Sequence, residues 1–284
     1  GAPGEMASDD DWLEAIRSSC VRAVRSRAEK GGRLGVALSG GLDARTILGL
    51  INQNVSPTTS ICYSIEGSLD HRCSEQMSRL ARSPYHHYEL GTEFLSDYRR
   101  HLERMVVLTD GQYLSQCIVM PTLPMYRELG VEVLLRGHAG ELMHMHKAYA
   151  YSMDEAALNA SSADQVQNWL SKHLQAYMLD AVNTPLLKPE YQQALDFSAP
   201  QSLLRAIGSC APHEPPVQTV WELFVTQRLR RETALSMVKF NSKVEIRLPF
   251  LDNDFISLLI AAPPHLKLGD TIQQYILAHE RPDF

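Results

Sequence analysis

Leu34-Gly35-Val36-Ala37-Leu38-Ser39-Gly40-Gly41-Leu42-Asp43-Ala44-Arg45 is the stretch whose reading settles the fold class. Leu34 to Leu38 form a short apolar run of the kind that makes a buried strand, and Ala44, Ile47, Leu48 and Ile51 then recur on one helical face. Gly40 and Gly41 stand between the two, where the backbone has to turn tightly and come close to a ligand without a Cβ in the way. A helix that starts there offers unpaired N–H groups and the positive end of its dipole, so an anion is welcome. Ser39 adds a hydroxyl donor, and Asp43 adds a carboxylate able to hold a cation that neutralises phosphates. A plain glycine turn with a capping Asp would use the same residues; placement at the carboxyl end of the first strand favours a phosphate cradle. The cradle is not of the Walker type, because that spacing and its lysine are missing.

Working outward, Leu13, Ile16, Cys20 and Val24 predict a helix capped by Asp9–Asp11 and stopped at Gly31-Gly32. Downstream, Ser60–Ile65, Tyr85–Leu90 and Val131–Leu135 read as strands. A helix carrying Cys73, Met77 and Leu80 and another from about Glu93 to Leu108 lie between them. Strand and helix in alternation predict an α/β protein with a doubly wound, mainly parallel sheet, and ligands at the carboxyl ends of its strands. From about residue 150 to Lys239 the pattern is helical, which suggests a cap. The expected division is a nucleotide-binding α/β part over 9–150 and a mainly helical part over 151–284 that returns to the active site at 239–253.

Composition narrows the partners. The 284 residues are 44% hydrophobic and 21% charged, which excludes wholesale disorder. A formal net charge of -6 argues against nucleic acid as a partner. Five scattered cysteines read as free thiols in a reducing compartment, and no apolar run spans a bilayer, so a cytoplasmic location without membrane contact is expected.

Three segments carry a family resemblance. Ser39-Gly40-Gly41-Leu42-Asp43-Ala44 resembles the S-G-G-x-D-S signature of the PP-loop ATP pyrophosphatases, whose fold is that of the adenine nucleotide α-hydrolases. Glu245-Ile246-Arg247-Leu248-Pro249-Phe250-Leu251-Asp252, followed by Pro263-Pro264-His265-Leu266-Lys267, is similar to segments of the asparagine synthetase family's synthetase domain. Arg136-Gly137-His138-Ala139-Gly140-Glu141-Leu142 looks like that family's G-x-G-x-D-E-L.

The resemblance implies an ATP-dependent, AMP-forming ligase that adenylates a small-molecule or peptide carboxylate for attack by ammonia or an amine. By that resemblance Ser39, Gly40 and Gly41 hold pyrophosphate, Gly137 borders the nucleotide, and Asp43 and Glu141 bind Mg2+. Leu38 with Ser64 or Ile65 lines the adenine pocket, by position alone. His138 fills a slot near the reacting carbonyl; it is either a general base for the amine or a histidine that only bonds the turn. Glu245 and Arg247 either orient substrate or form a structural ion pair. His144 and His146 point in different directions on a helix and do not suggest a shared ion with His138.

The sequence also departs from the pattern. Ala44 lacks the signature's last hydroxyl, and Gln274 stands where the family has a phosphate-binding lysine, with Lys147, Lys239, Lys243 and Arg45 as substitutes. These departures leave an alternative: a nucleotide-binding but catalytically impaired homologue acting as a binding or regulatory module. The lysidine-forming and thiolating relatives fit the charge and cysteine pattern poorly. No N-terminal Cys nucleophile is seen, so ammonia is expected free or from a separate glutaminase subunit. Substrate selection is expected from the cap, with Trp221, Glu222, Gln227, Arg228 and Arg231 as candidates for its wall.

Overall fold

A computed structural model describes residues 8–145, 153–178 and 188–284, with side chains outside 174–178 and 192–200. His146, Lys147 and the boundary expected at residue 150 lie outside the described residues. The first strand, β1 (Leu34–Leu38), is the middle of a five-stranded parallel sheet of order β3-β2-β1-β4-β5, with β2 at Thr58–Ser64, β3 at Tyr85–Glu89, β4 at Val133–Leu135 and β5 at Glu245–Arg247. The chain builds outward from β1 to β3, then returns to the other side of β1 for β4 and β5. The strand order therefore reverses between β1 and β4, and the crevice at their carboxyl ends is where such sheets bind ligands.

Alternation along the strands divides the core between two faces. Val36, Leu38, Val133 and Leu135 pack toward one cluster, with Ile16 of α1 (Asp9–Ala28) and Leu48 of α2 (Leu42–Leu50). Ile61 and Leu134 face the opposite cluster, with Met105, Tyr126 and Phe240. The helical region adds the helices Ala163–Met178 and Pro189–Gly208 and a helical run over 219–241 whose middle, Phe224–Thr233, is a π-helix. Among the described residues no helix is long and apolar enough to cross a membrane.

Local chemistry explains the differences from the expected elements. The helix expected over 93–108 breaks at Asp97 into Glu93–Ser96 and Tyr98–Thr109. Strand β5 has the sequence Glu-Ile-Arg and is a sheet edge, so its charged ends hid it from a search for apolar runs. Arg247 donates to the Arg27 carbonyl (2.7 Å), to the Gly31 carbonyl (3.3 Å) and to Glu245 Oε1 (2.7 Å). Asp252 accepts from the Asp254 and Phe255 N–H groups at the start of the next helix and pairs with Arg27 at 2.9 Å. Glu245 and Arg247 are thus turned away from the crevice, and the structural reading of the pair replaces the substrate-orienting one. The segment lashes the sheet edge to the end of α1.

Arg247→Ala should therefore lower the unfolding free energy in urea by about 1–3 kcal/mol, the range for hydrogen bonds from a charged donor. Ligand binding at the carboxyl ends of the strands should stay at the wild-type level.

Candidate nucleotide site

The crevice has a volume of about 300 Å3 and is lined by Leu38, Ser39, Gly41, Asp43, Ala44, Tyr63, Asp70, Gln116, Arg136, Gly137, His138 and Glu141, among others. Gly41 is the N-cap of α2 and makes no side-chain cap bond. The Gly41 N–H instead donates to Ser39 Oγ at 3.3 Å, and the Gly40 N–H donates to Asp70 Oδ1 at 2.7 Å. The Gly40 amide thus meets a carboxylate beside a helix N-terminus, as it would meet a phosphate. Arg45 braces the same turn from behind by donating to the Gly40 carbonyl at 3.4 Å.

Two glycines bring the second acidic loop onto this turn. A Cβ built on Gly140 would lie 2.1 Å from Asp43 Oδ1, and one on Gly137 would lie 2.7 Å from Asp43 Cβ. Both distances are shorter than real carbon contacts allow, so only glycine lets the loop after β4 sit against the start of α2. That seating leaves Glu141 in the crevice beside Asp43. Glu141 Oε2 is buried without a hydrogen-bond partner. Burial pushes the Glu141 carboxyl above its usual range, and the nearby Asp43 adds to the rise. Asp43 itself accepts from Gln273 Nε2 at 2.6 Å and lies 3.3 Å from His144 Nε2. Burial opposes the charged form of His144, but its bond to Asp43 together with the charges of Asp43, Glu141 and Asp270 raises its pKa. Among the described residues no group of three or more His, Cys, Asp or Glu side chains is arranged to hold an ion alone. Two carboxylates with an orphaned oxygen suit magnesium, which is typically bound by one or two acids together with substrate phosphates.

The other expected site residues divide sharply. Leu38 and Gly137 line the crevice. Ser64 and Ile65 do not: Ser64 Oγ is held by His87 Nε2 at 3.0 Å, and Ile65 lies past the strand end, 67% exposed. Tyr63, one residue earlier on β2, takes their place. His138 lines the crevice, but burial and then the cations of Arg136 and Lys239 push it down to about 3, so it is a neutral imidazole. Gln274 is exposed, whereas its neighbour Gln273 is buried and reaches Asp43. Of the substitute cations, Lys243 is exposed on the surface that Glu245 also lines, and Arg45 is committed to Gly40.

In the cap, Trp221 is fully buried and donates to the Leu142 carbonyl at 3.3 Å, fixing the turn that carries Glu141. Glu222 accepts from the Ala211 N–H and from His213, and Arg228 pairs with Glu232 at 2.7 Å. Lys267 is also fully buried; it donates to the Leu259 carbonyl at 2.6 Å and stacks on Trp221. Asp70, Tyr63, Gln116 and Gln273 escaped the sequence reading. Asp70 could have been found, since it follows Ser68 at the start of the helix after β2 (α3, Leu69–Ala81), next to the cradle. Gln273 could have been found from the buried phase set by Ile272, Ile276 and Leu277.

The sequence profile of the asparagine synthase family matches residues 15–279. The chain belongs to the asparagine synthase family. It is 25% identical over 144 residues to a probable glutamine-hydrolysing asparagine synthetase of Acanthamoeba polyphaga mimivirus, a match covering 48% of this chain and 26% of that protein. Its identity to the Dictyostelium discoideum protein described in the same words is 23% over 174 residues, covering 51% of this chain and 30% of the relative. The matched region is thus less than a third of the length of these relatives. Among solved structures, an NH3-dependent NAD synthetase from Campylobacter jejuni superposes with a TM-score of 0.35 at 10% identity, covering 80% of this chain and 96% of that one. An NMN synthetase from Francisella tularensis gives 0.34 at 12% identity, covering 80% and 97%.

Two outcomes follow from the geometry. Glu141→Gln should melt at or above the wild-type temperature without metal, because a buried orphaned carboxylate is removed, yet lose the stabilisation that magnesium with ATP gives. Gly140→Ala should weaken nucleotide binding by at least about tenfold in calorimetry, since the new Cβ displaces Asp43.

Proposed function

We propose that the crevice binds ATP with magnesium and that the chain transfers the AMP portion of ATP to a carboxylate, for attack by ammonia or an amine. The observation that carries this reading is the seating of the Gly137–Glu141 turn on Asp43, which presents the amide cradle and both acids to one space. Asp43 and Glu141 would hold the magnesium, which supplies charge to offset that developing on the leaving pyrophosphate. An oxygen of the acid attacks the α-phosphorus, the bond from that phosphorus to the bridging oxygen breaks, and pyrophosphate leaves into the cradle. The amine then adds to the acyl carbon, the bond from that carbon to the AMP oxygen breaks, and the nitrogen's proton leaves with the departing AMP phosphate or to solvent. The N–H groups at Gly40, Gly41 and the start of α2 stabilise the departing charge, the Gly40 amide exchanging its bond to Asp70 for one to phosphate.

His138 is neutral and too weak a base to carry a proton away. It serves by accepting a hydrogen bond from the incoming N–H and orienting it.

A second reading, a nucleotide-binding module without turnover, is favoured by the missing hydroxyl at Ala44 and by Gln273 in contact with Asp43 where a cation would serve phosphate. ATP–pyrophosphate exchange over a panel of amino acids and larger carboxylic acids separates the two. Ligation predicts acid-dependent exchange that drops at least about a hundredfold in Asp43→Asn, the scale for losing one preorganised electrostatic element. ATP binding in calorimetry with no exchange against any acid would leave the module reading standing.

A further inference from the structure

Just after β4, beside the crevice, lie two buried cations that none of the roles above uses. Arg136 directly follows β4, is 8% exposed and lines the crevice. Its guanidinium stacks 4.1 Å over the Phe240 ring, while Nε and Nη1 are buried without a hydrogen-bond partner. Lys239, on the helix Ala234–Asn241, is fully buried. Its Nζ lies 4.7 Å from the Tyr113 ring and 5.4 Å from the Phe240 ring, and it too lacks a hydrogen-bond partner. No carboxylate pairs with either cation among the described residues; Glu232, the acid with an influence on Lys239, is bonded to Arg228.

Buried charges are normally paired, because an isolated one costs several kcal/mol, and aromatic rings return only part of that. Burial, with Arg136 close by, lowers Lys239 to about 8, and both cations depress His138, whose ring faces the crevice. The positive charge is therefore directed at the space where a ligand sits.

We infer that Arg136 and Lys239 form an oxyanion subsite that seats one acidic group, a carboxylate or a phosphoryl group, of the molecules bound in the crevice. The inference rests on the crevice being a substrate site and not on turnover. Arg136 offers Nε and Nη1 unbonded, two donors on different edges of one guanidinium, and Lys239 supplies a point charge beside it. The subsite is separate from the cradle, whose amides lie at the β1 end. The positive charge absent at Gln274 is thus present in the chain, but against a different part of the ligand.

Thermal melting and calorimetry of the whole chain, without magnesium and at constant ionic strength, test this with succinate and with pyrophosphate as probes. At least one anion is expected to raise the wild-type melting temperature. Its affinity is expected to fall by at least about tenfold in Arg136→Met and in Lys239→Met. Lys239→Met without anion is expected to melt no lower than the wild type, the opposite of what a purely structural lysine would show. Loss confined to succinate assigns the subsite to a carboxylate, and loss confined to pyrophosphate assigns it to a phosphoryl group.

The inference is overturned if neither anion stabilises the wild type or if both variants bind the anions as the wild type does. Should the methionine variants fail to fold, Arg136→Lys decides: it keeps the charge and loses the guanidinium's fixed donors, so unchanged anion affinity in it also overturns the inference. A protein without exchange activity that keeps the Arg136- and Lys239-dependent anion response counts against ligation and leaves the subsite in place.

Discussion

The site depends on a contact that exists because a side chain is missing. Asp43 occupies the volume that any Cβ on Gly140 would need, and a Cβ on Gly137 would meet Asp43 Cβ at 2.7 Å with the backbone of the first helical turn just beyond. Two loops from neighbouring parallel strands are brought together by this, and His144 on the second lies 3.3 Å from Asp43 on the first. The sheet order makes the meeting possible, since β1 and β4 are adjacent and both end at the crevice. Trp221 secures the arrangement from the helical side by holding the Leu142 carbonyl, so the far half of the chain has a direct structural grip on the acidic turn.

Charge in the crevice is sorted by position. Asp43, Glu141 and Asp70 gather about the start of α2, whereas Arg136, directly after β4, has Lys239 beside it over the Phe240 ring. His138 stands near the cations and is kept neutral by burial and by them. A ligand with a polyanionic tail, a cation bound to it and a separate acidic end would match that sorting. A uniformly charged one would not. Opposed fields in a partly desolvated space fix the direction in which a molecule lies before any contact to its middle is made.

The glycine turn after a short apolar strand was legible because it combines local period and local chemistry, and the parallel sheet followed from alternation. Asp43 and Glu141 were legible as the acids of two motifs, and the structure brings both to the crevice. Other residues were hidden for different reasons. Gln273 and Gln274 are neighbours, and a helix turns successive residues by about 100°, so a one-residue shift in matching the motif exchanges an inward side chain for an outward one. Tyr63 and Ser64 on β2 differ in the same way across a strand. Arg247 carries the right residue type for a substrate contact, but its direction is set by the carbonyls at the end of α1, which belong to a segment over 200 positions away. Asp70, too, became visible only when β2 and β1 were paired.

That Asp70 bond deserves to be followed to its outcome. The Gly40 amide already holds a carboxylate oxygen at 2.7 Å, so the loop stays open and shaped while no phosphate is near. An incoming phosphoryl oxygen at that amide has to take over a bond already made. Arrival of a phosphoryl group at that amide would thus be an exchange of one acid for another.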